Sequence, residues 1–407
     1  MGVGGRNGHG GVASLTLVDC TLREGEQSAG VWFTVDEKLA LVDSLAAAQV
    51  PVLDAGMPAI SSEERDFLRR ATGRTHARIG ASVRALEAEV QLALTCGCDE
   101  VFLICPTSAL HREKRLGLDE SGLHRRIATL VRAVRSSGRT ANVVAEDASR
   151  TTPDELDRVA RVAADSGADC LYLCDTVGAW FPSATDTCVR RVAEAVPGLR
   201  LGVHCHDDFG MATANTLAAI QAGVTAPTAT VNGVGERAGN ASLAEVAAAC
   251  AHLLGRPTGL DLSAVATLSR QVEAITGFVV PQHAPLVGFN AFRHESGIHV
   301  DGLLKSPETY QSADPEAFGR VHRFVLGKHS GRALLRRFAR LNGLPDDDAT
   351  LDHVLSLVKA RRPEAARRLF ALVREALDRY NETCLGTRDT ELHRLFAERP
   401  TPTQPEP

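Results

Sequence analysis

The chain has 407 residues, of which 44% are hydrophobic and 23% are charged, as in globular proteins with a large core. A formal net charge of −5 and an aromatic content of 4% argue against a surface that binds nucleic acid or an anionic membrane. No apolar run approaches the roughly 18 residues that span a bilayer, so we expect neither nucleic acid nor membrane as a partner.

Ten cysteines are present, without the paired Cys-x-x-Cys spacing of a zinc site. Several lie in or beside apolar, strand-like runs, among them Cys20, Cys105 and Cys170. We therefore predict buried, reduced thiols and a cytoplasmic protein rather than a disulfide framework.

Strand-like and helix-period runs alternate through the first two thirds of the chain. Residues 1–13 are Gly-rich and are expected to form a disordered tail. Helix-period stretches such as Asp36–Gln49 and Pro153–Ser166 separate eight apolar or β-branched runs, about 30 residues apart, at Leu15–Glu24, Val50–Pro58, Arg78–Arg84, Glu100–Ser108, Thr140–Arg150, Cys170–Gly178, Arg200–Gly210 and Pro227–Gly235. This alternation predicts an α/β fold, a (β/α)₈ TIM barrel over residues 14–285. A doubly wound open sheet is the alternative, but it fits five or six units better than eight, and no G-x-G-x-x-G opens the first helix.

The rhythm changes after residue 285. Residues 286–346 are rich in Gly, His and Pro and are predicted to form a lid or linker segment. Residues 347–398 are predicted to be helical, because Leu351, Val354, Leu355 and Val358 are spaced for one helix face. Residues 399–407 are Pro-rich and are expected to form a second disordered tail.

Polar residues crowd the ends of the predicted strands, where a TIM barrel carries its reactive groups. The first run ends in Arg23 and Glu24, and we expect Gly25 to supply a turn that lets both side chains face the barrel mouth. The seventh run ends in His204 and His206, and residues i and i+2 of a strand project from the same face. Two imidazoles presented together are a natural pair of ligands for one metal ion.

Three other strand ends are polar as well. The fifth run ends in Glu146-Asp147 with Arg150, the sixth in Asp175-Thr176, and the eighth continues from Asn232 to Asn240. Few polar residues stand at the strand beginnings. This asymmetry predicts an active site at the barrel mouth.

Several longer runs occur in one order along the chain: CTLREGEQ, ED-x-x-R, CDTVG, HCHDDFGMATAN, NGVGERAGNASL, HESGIHVDGLLK and LGKHSGR. Together they resemble the DRE-TIM metallolyase superfamily and, within it, the homocitrate, 2-isopropylmalate and citramalate synthases. The resemblance extends from Leu15 to about Arg332 and looks strongest to homocitrate synthases of the nitrogen-fixation type.

The resemblance implies a divalent-metal site and a reaction. Glu24, His204 and His206 would bind Mg²⁺, Mn²⁺ or Zn²⁺, with Asn240 as a further contact. The metal would polarise the ketone of a 2-oxo acid, and acetyl-CoA would be the co-substrate whose acetyl group adds to that ketone carbon.

The resemblance also implies roles for the other site residues. Arg23 would stabilise developing negative charge, and Glu146, His299 and Tyr310 would supply the acid–base chemistry. Because residues 286–346 reach over the partner's barrel in this family, it implies a homodimer with shared sites. The residues assigned to substrate binding are Gln27, Arg84, Arg150 and Thr176, of which Thr176 would hold the carboxylate of the 2-oxo acid.

Three departures from the family pattern bear on this interpretation. Glu24 stands where many relatives have Asp, and Asp54 stands where Glu is usual, so the two lengths could compensate sterically. The third strand lacks the His with which lysine-pathway homocitrate synthases bind the distal carboxylate, and Arg84 could take that role. We expect 2-oxoglutarate as the substrate, with 3-phosphonopyruvate as the rival and 2-oxoisovalerate less favoured.

Two other functions fit these residues less well. Hydroxymethylglutaryl-CoA lyases catalyse the reverse type of cleavage with a Cys in the loop after strand eight, and the run Gly233–Asn240 contains none. A non-catalytic barrel would be expected to have lost ligands or bases, whereas all of those named above are in place.

Overall fold

The computed structural model describes residues 14–361, 364–383 and 389–397. The tails expected at 1–13 and 399–407 lie outside the described residues. Eight parallel strands form a closed barrel in sequence order, and β1 pairs with both β2 and β8. These strands are β1 Val18–Asp19, β2 Val52–Gly56, β3 Arg78–Arg84, β4 Glu100–Pro106, β5 Thr140–Glu146, β6 Cys170–Asp175, β7 Arg200–Cys205 and β8 Ala226–Ala229. The predicted (β/α)₈ barrel is confirmed.

Helices surround the barrel and continue after it. Those up to residue 276 are α1 Thr21–Glu24, α2 Val35–Ala47, α3 Ser62–Ala71, α4 Glu87–Thr95, α5 Ala109–His111, α6 Glu120–Ser136, α7 Pro153–Asp165, α8 Pro182–Ala195, α9 Ala212–Ala222, α10 Leu243–His252 and α11 Val265–Thr276. Local sequence fixes several starts: Thr34 and Glu37 form a capping box at α2, and Thr152 caps α7 ahead of Pro153.

The region after the barrel is irregular at first and then helical. A two-stranded parallel sheet pairs β9 Arg293–His294 with β10 Arg323–Phe324. The helices here are α12 Gly297–Lys305, α13 Arg332–Leu341, α14 Asp348–Ala360, α15 Glu364–Thr383 and α16 Asp389–Ala397. Among the described residues, no helix combines the length and hydrophobicity needed to cross a membrane.

Two apolar layers position the site. The main core lies between the strands and the outer helices, and a smaller cluster that includes Val18, Val52, Phe102 and Tyr172 fills the barrel interior. The rings of Phe102 and Tyr172 meet edge to face with centroids 5.5 Å apart. This interior cluster fills the barrel from below, and a cavity lies above it at the carboxyl ends of the strands.

Candidate active site

The end of β1 is a helical turn that aims two charged side chains at the barrel mouth. The Asp19 carboxylate accepts the backbone N–H of Thr21 at 2.9 Å and its hydroxyl at 2.8 Å, which starts α1 directly after the strand. From the sequence, the turn was expected at Gly25. In the structure it begins at Thr21. Gly25 has an ordinary helical φ of −61° and lies close to Val234, since a Cβ there would be 3.1 Å from the Val234 side chain.

A carboxylate and two imidazoles converge at the centre of this mouth. Glu24, His204 and His206 are buried, and one potential ligand atom from each lies within 4.8 Å of the others. Bonds of about 2.1 Å to one ion place ligand atoms roughly 3–4 Å apart, so small side-chain rotations would complete the site. The Nδ1 of His204 is 2.8 Å from the Thr228 hydroxyl, which leaves Nε2, 3.6 Å from Glu24 Oε1, as its ligand atom.

Unsatisfied polar atoms surround this point. Glu24 Oε2, His206 Nδ1 and Asn240 Oδ1 are buried without a hydrogen-bond partner among the described residues. The backbones of Asn240 and His206 pair in an isolated antiparallel β-bridge. The side-chain Nδ2 of Asn240 donates to the Val234 carbonyl at 3.1 Å. Buried polar atoms without partners are costly, and a cation would satisfy the oxygen and nitrogen lone pairs here. The residues present therefore fit a divalent cation.

The charges of the cluster suit ligation. Burial alone would raise the pKa of Glu24, but Arg23, His204 and His206 together lower it to about 2. Burial lowers the pKa of His204 to about 3, and burial also lowers the pKa of His206. At neutral pH the cluster thus presents one carboxylate and two neutral imidazoles, the protonation states that bind metal.

Arg23 joins the metal-ligand cluster to the second strand. Its guanidinium is ion-paired with Glu24, and its Nε donates to Asp54 at 2.5 Å. The hydroxyl of Ser82 lies 3.0 Å from both Asp54 oxygens. Arg23 is thereby fixed between two carboxylates beside the cation site.

Glu146 lies at the end of β5 and is ion-paired through Oε1 with Arg115. Its other oxygen is buried and has no partner among the described residues. Thr176 accepts the backbone N–H of Asp147 at 2.8 Å, so its hydroxyl proton remains available to a ligand.

A cavity of about 260 Å³ brings seven of the predicted residues together: Arg23, Glu24, Gln27, Glu146, Thr176, His204 and His206. Gln27 lies at its exposed edge and donates to the Arg23 carbonyl at 3.3 Å. Apolar side chains form much of the remaining wall, including Phe102, Ile104, Val144 and Tyr172. Asn240 lies next to His206, but behind the lining.

Two arginines assigned to substrate binding lie outside this cavity. Arg84 turns away from the barrel at the end of β3, because Glu89 of α4 pairs with its guanidinium and accepts its backbone N–H at 2.9 Å. Arg150 is held in a 3₁₀ turn by the buried Asp147 at 2.7 Å.

His299 and Tyr310 lie in the segment after the barrel. Their rings stack with centroids 4.3 Å apart, and both side chains are exposed. Neither side chain lines the barrel cavity of its own chain. The structure thus pairs them with each other and keeps them apart from Glu146.

Several site residues were missed in the sequence. Thr228 orients His204, Ser82 holds Asp54, and Arg115 pairs with Glu146. Asp54 was noticed only as a departure from the family pattern. For Thr228 and Ser82, the alternation of inward-facing residues along β8 and β3 was the available signal.

Comparison with known proteins gives the family. The HMGL-like family matches residues 14–272, and a homocitrate synthase post-HMGL domain-like family matches residues 286–365. A homocitrate synthase of Methanopyrus kandleri is 42% identical over 370 residues, which are 89% of this chain and 93% of the relative. An (R)-citramalate synthase of Methanocaldococcus jannaschii is 39% identical over 85% of this chain and 70% of its own.

Solved structures agree on the fold. An HMG-CoA lyase of Bacillus subtilis superposes with a TM-score of 0.60 at 18% identity, covering 66% of this chain and 95% of that one. The family models thus cover both the barrel and the segment that follows it. The chain belongs to the DRE-TIM metallolyases, as an HMGL-like barrel joined to a homocitrate synthase post-HMGL domain.

Proposed function

We propose that this protein condenses acetyl-CoA with a 2-oxo acid, giving a 2-hydroxy-2-carboxymethyl acid and, after hydrolysis of the thioester, free CoA. The observation that carries the proposal is the convergence of Glu24, His204 and His206 beside a polar cavity at the barrel mouth. Relatives named homocitrate synthase, citramalate synthase and 2-isopropylmalate synthase support it.

The residues of the cation site would activate the ketone of the 2-oxo acid for attack. Glu24, His204 and His206 would hold a divalent ion, with Asn240 close behind, and the bound ion would act as a Lewis acid toward the 2-oxo acid. The Arg23 guanidinium lies beside Glu24 and stabilises negative charge on the ketone oxygen or the enolate. The Thr176 hydroxyl donates to the carboxylate of the 2-oxo acid.

Proton transfer is assigned to Glu146, His299 and Tyr310. The methyl group of a thioester is weakly acidic, so its proton must be removed by a positioned base. Glu146 lies in the cavity, and its free oxygen Oε2 is the candidate acceptor. His299 and Tyr310 would reach this cavity from the partner subunit of a homodimer, because they are exposed and lie outside the cavity of their own chain.

We propose 2-oxoglutarate as the first substrate to test, because two homocitrate synthases, from Methanopyrus kandleri and Frankia alni, are each 42% identical to this chain. The arginines in the cavity lining are Arg23 and Arg237, and each is paired with a carboxylate. Oxaloacetate, pyruvate, 2-oxoisovalerate and 3-phosphonopyruvate therefore belong in the same panel. We also propose a cytoplasmic location, since the nine described cysteines are free thiols and all but Cys188 are buried.

The test measures thiol release from acetyl-CoA with each 2-oxo acid, with and without EDTA. We expect turnover with at least one acid, strong preference within the panel, and loss of turnover in EDTA that added Mg²⁺, Mn²⁺ or Zn²⁺ restores. Glu146→Gln should abolish thiol release, whereas Glu87→Gln, at the exposed start of α4, should not. EDTA-insensitive turnover would remove the proposed mechanism.

A further inference from the structure

A second cavity, of about 630 Å³, lies between α11 and the irregular segment after the barrel. Four guanidinium groups line it, those of Arg270, Arg293, Arg320 and Arg323. Within the part of the chain that the structure describes, none of the four is ion-paired with a carboxylate. The lining contains one acid, Glu273, whose Oε1 accepts the backbone N–H of Val280 at 2.8 Å.

Two of these arginines are held in place by the backbone. Arg320 donates to the carbonyls of Val287 at 2.6 Å and Gly288 at 3.0 Å. Arg293 lies 3.7 Å above the ring of Phe289 and donates to the carbonyl of the same residue at 3.1 Å. Since a guanidinium has five N–H donors, both retain donors for a ligand.

The positive charges are close enough to repel one another. Burial lowers the pKa of Arg320, and the charges of Arg270 and Arg293 lower it further. Positive charges gathered around a cavity without matching carboxylates are stabilised by an anion that enters it. The arrangement is that of a ligand site rather than of an ion-pair network.

We propose that this cavity binds a nucleotide, that is, an organic anion with more than one phosphate group and an aromatic base. Guanidinium groups bind phosphate oxygens through paired hydrogen bonds, and several of them match a multiply charged ligand. Phe289 and Phe292 line the same cavity and give a base apolar surface to pack against, beside the Arg293 guanidinium that covers one face of the Phe289 ring. The volume lies within the roughly 300–1,000 Å³ of small-molecule sites.

A smaller cavity of about 220 Å³ has lining residues in common with both this arginine cavity and the cavity at the barrel mouth. It shares Val279, Val280 and Val287 with the arginine cavity and Arg237 with the catalytic cavity. The nucleotide therefore has two sources, the nucleotide end of the CoA thioester or a free nucleotide that acts as an effector. The first source rests on the proposed function, whereas the second does not.

The test is calorimetric titration of the full chain with adenosine 3′,5′-bisphosphate, ATP and CoA. The test variant is Arg270→Met/Arg323→Met, because both side chains are exposed and lie outside the catalytic cavity. The matched control is Arg132→Met/Arg161→Met, which removes two exposed arginines from the outer helices α6 and α7. We expect at least one probe to bind the wild type, and the test variant to bind it at least about tenfold more weakly while the control does not.

The outcomes separate the sources. Competition between CoA and the bisphosphate, with a raised KM for acetyl-CoA and an unchanged KM for the 2-oxo acid in the test variant, assigns the cavity to the substrate. Binding of ATP without competition from CoA assigns it to an effector and stands even when no condensation is detected. The proposal is overturned if no probe binds the wild type saturably, if the control loses as much affinity, or if the arginine changes alter only subunit assembly, since a partner segment would then fill the cavity.

Discussion

At the residue scale, the site depends on the two carboxylates that share Arg23. Glu24 belongs to the metal-ligand cluster, whereas Asp54 lies on β2 and is held by Ser82. The side chain of Glu is one methylene longer than that of Asp, so the position of the guanidinium depends on the lengths of both partners. The two departures from the family pattern are therefore in contact with one arginine.

Exchanging the side-chain lengths at positions 24 and 54 tests whether the two carboxylates position Arg23 together. We expect Glu24→Asp and Asp54→Glu each to lower kcat/KM by at least about tenfold, because a displacement of about 1 Å is costly in a catalytic site. The double variant should recover much of the loss. Thiol-release kinetics measure the effect, with Glu87→Asp as an exposed control. A double variant no better than the worse single variant would show that the two positions act independently.

The buried His204 makes the metal-free protein sensitive to acid. Its folded pKa is about 3, below the ordinary value of 6.5, so between these values the unfolded chain binds the additional proton. Stability therefore falls as pH falls through this window, by about 1.4 kcal/mol per pH unit for one proton. Burial raises the pKa of Asp19 to about 7, which acts in the opposite direction but equally in every variant compared.

His204→Gln should remove this contribution. We expect the free energy of unfolding in EDTA to decrease less from pH 6 to pH 5 in His204→Gln than in the wild type. Urea denaturation at the two pH values measures it, and His76→Gln, on an exposed side chain, is the control. Equal decreases in all three proteins would contradict the assignment.

At the element scale, the loop after β8 supports the ligands from the side. A Cβ at Gly235 would lie 2.0 Å from Asn240 Nδ2 and 3.6 Å from the Glu24 Cβ. Gly235 is therefore required by the close approach of Asn240. Through Gly235, the loop determines the positions of Asn240 and Glu24.

Gly235→Ala should displace Asn240 without unfolding the barrel. We expect the affinity for Mn²⁺ to fall about ten- to hundredfold, as when other supporting contacts of metal ligands are lost. Calorimetry on EDTA-treated protein measures affinity, and circular dichroism reports the fold. Gly138→Ala, where an added Cβ meets nothing within 4 Å, controls for the loss of a glycine. Unchanged Mn²⁺ affinity would contradict a supporting role for this loop.

The sequence predicted the barrel because each strand run carries its own signal, and β3 was found with both of its ends, Arg78 and Arg84. Glu24, His204 and His206 could be proposed as cation ligands because they follow strand ends in a recognisable family pattern, and the structure brings one potential ligand atom of each within 4.8 Å of the others. The alternation along β3 predicts that Arg84, two residues after Ser82, faces inward, whereas in the structure Glu89 of α4 pairs with its guanidinium outside the cavity. The alternation along β8 could have placed Thr228 inward, but its contact with His204 could not be assigned, since that contact exists only where β8 lies beside β7.

At the scale of the whole molecule, the residues proposed for the chemistry lie in two regions of the chain. The barrel carries the cation cluster and Glu146, whereas His299 and Tyr310 form an exposed stacked pair after it. A homodimer with shared sites would bring the two regions together. This division makes complementation between inactive chains a direct test.

A mixture of Glu24→Ala and His299→Ala chains should regain activity after subunit exchange. Random pairing leaves one intact site in half of the dimers, or roughly one quarter of the wild-type sites. A mixture of Glu24→Ala and His204→Ala, both changes in the barrel, should stay inactive. Thiol release after mixing measures the rescue. Absence of rescue despite verified exchange would mean that each site is built from one chain.

The pairing of Arg23 with Glu24 has a consequence for handling the protein. If a bound ion is removed, the Arg23 guanidinium already pairs with the buried Glu24 carboxylate, so chelation leaves no isolated anion in the interior. The emptied protein should therefore keep its fold and accept a new ion of choice. Ions with useful spectra, such as Co²⁺, could then be bound one at a time, because Arg23 pairs with Glu24 until the new ion enters.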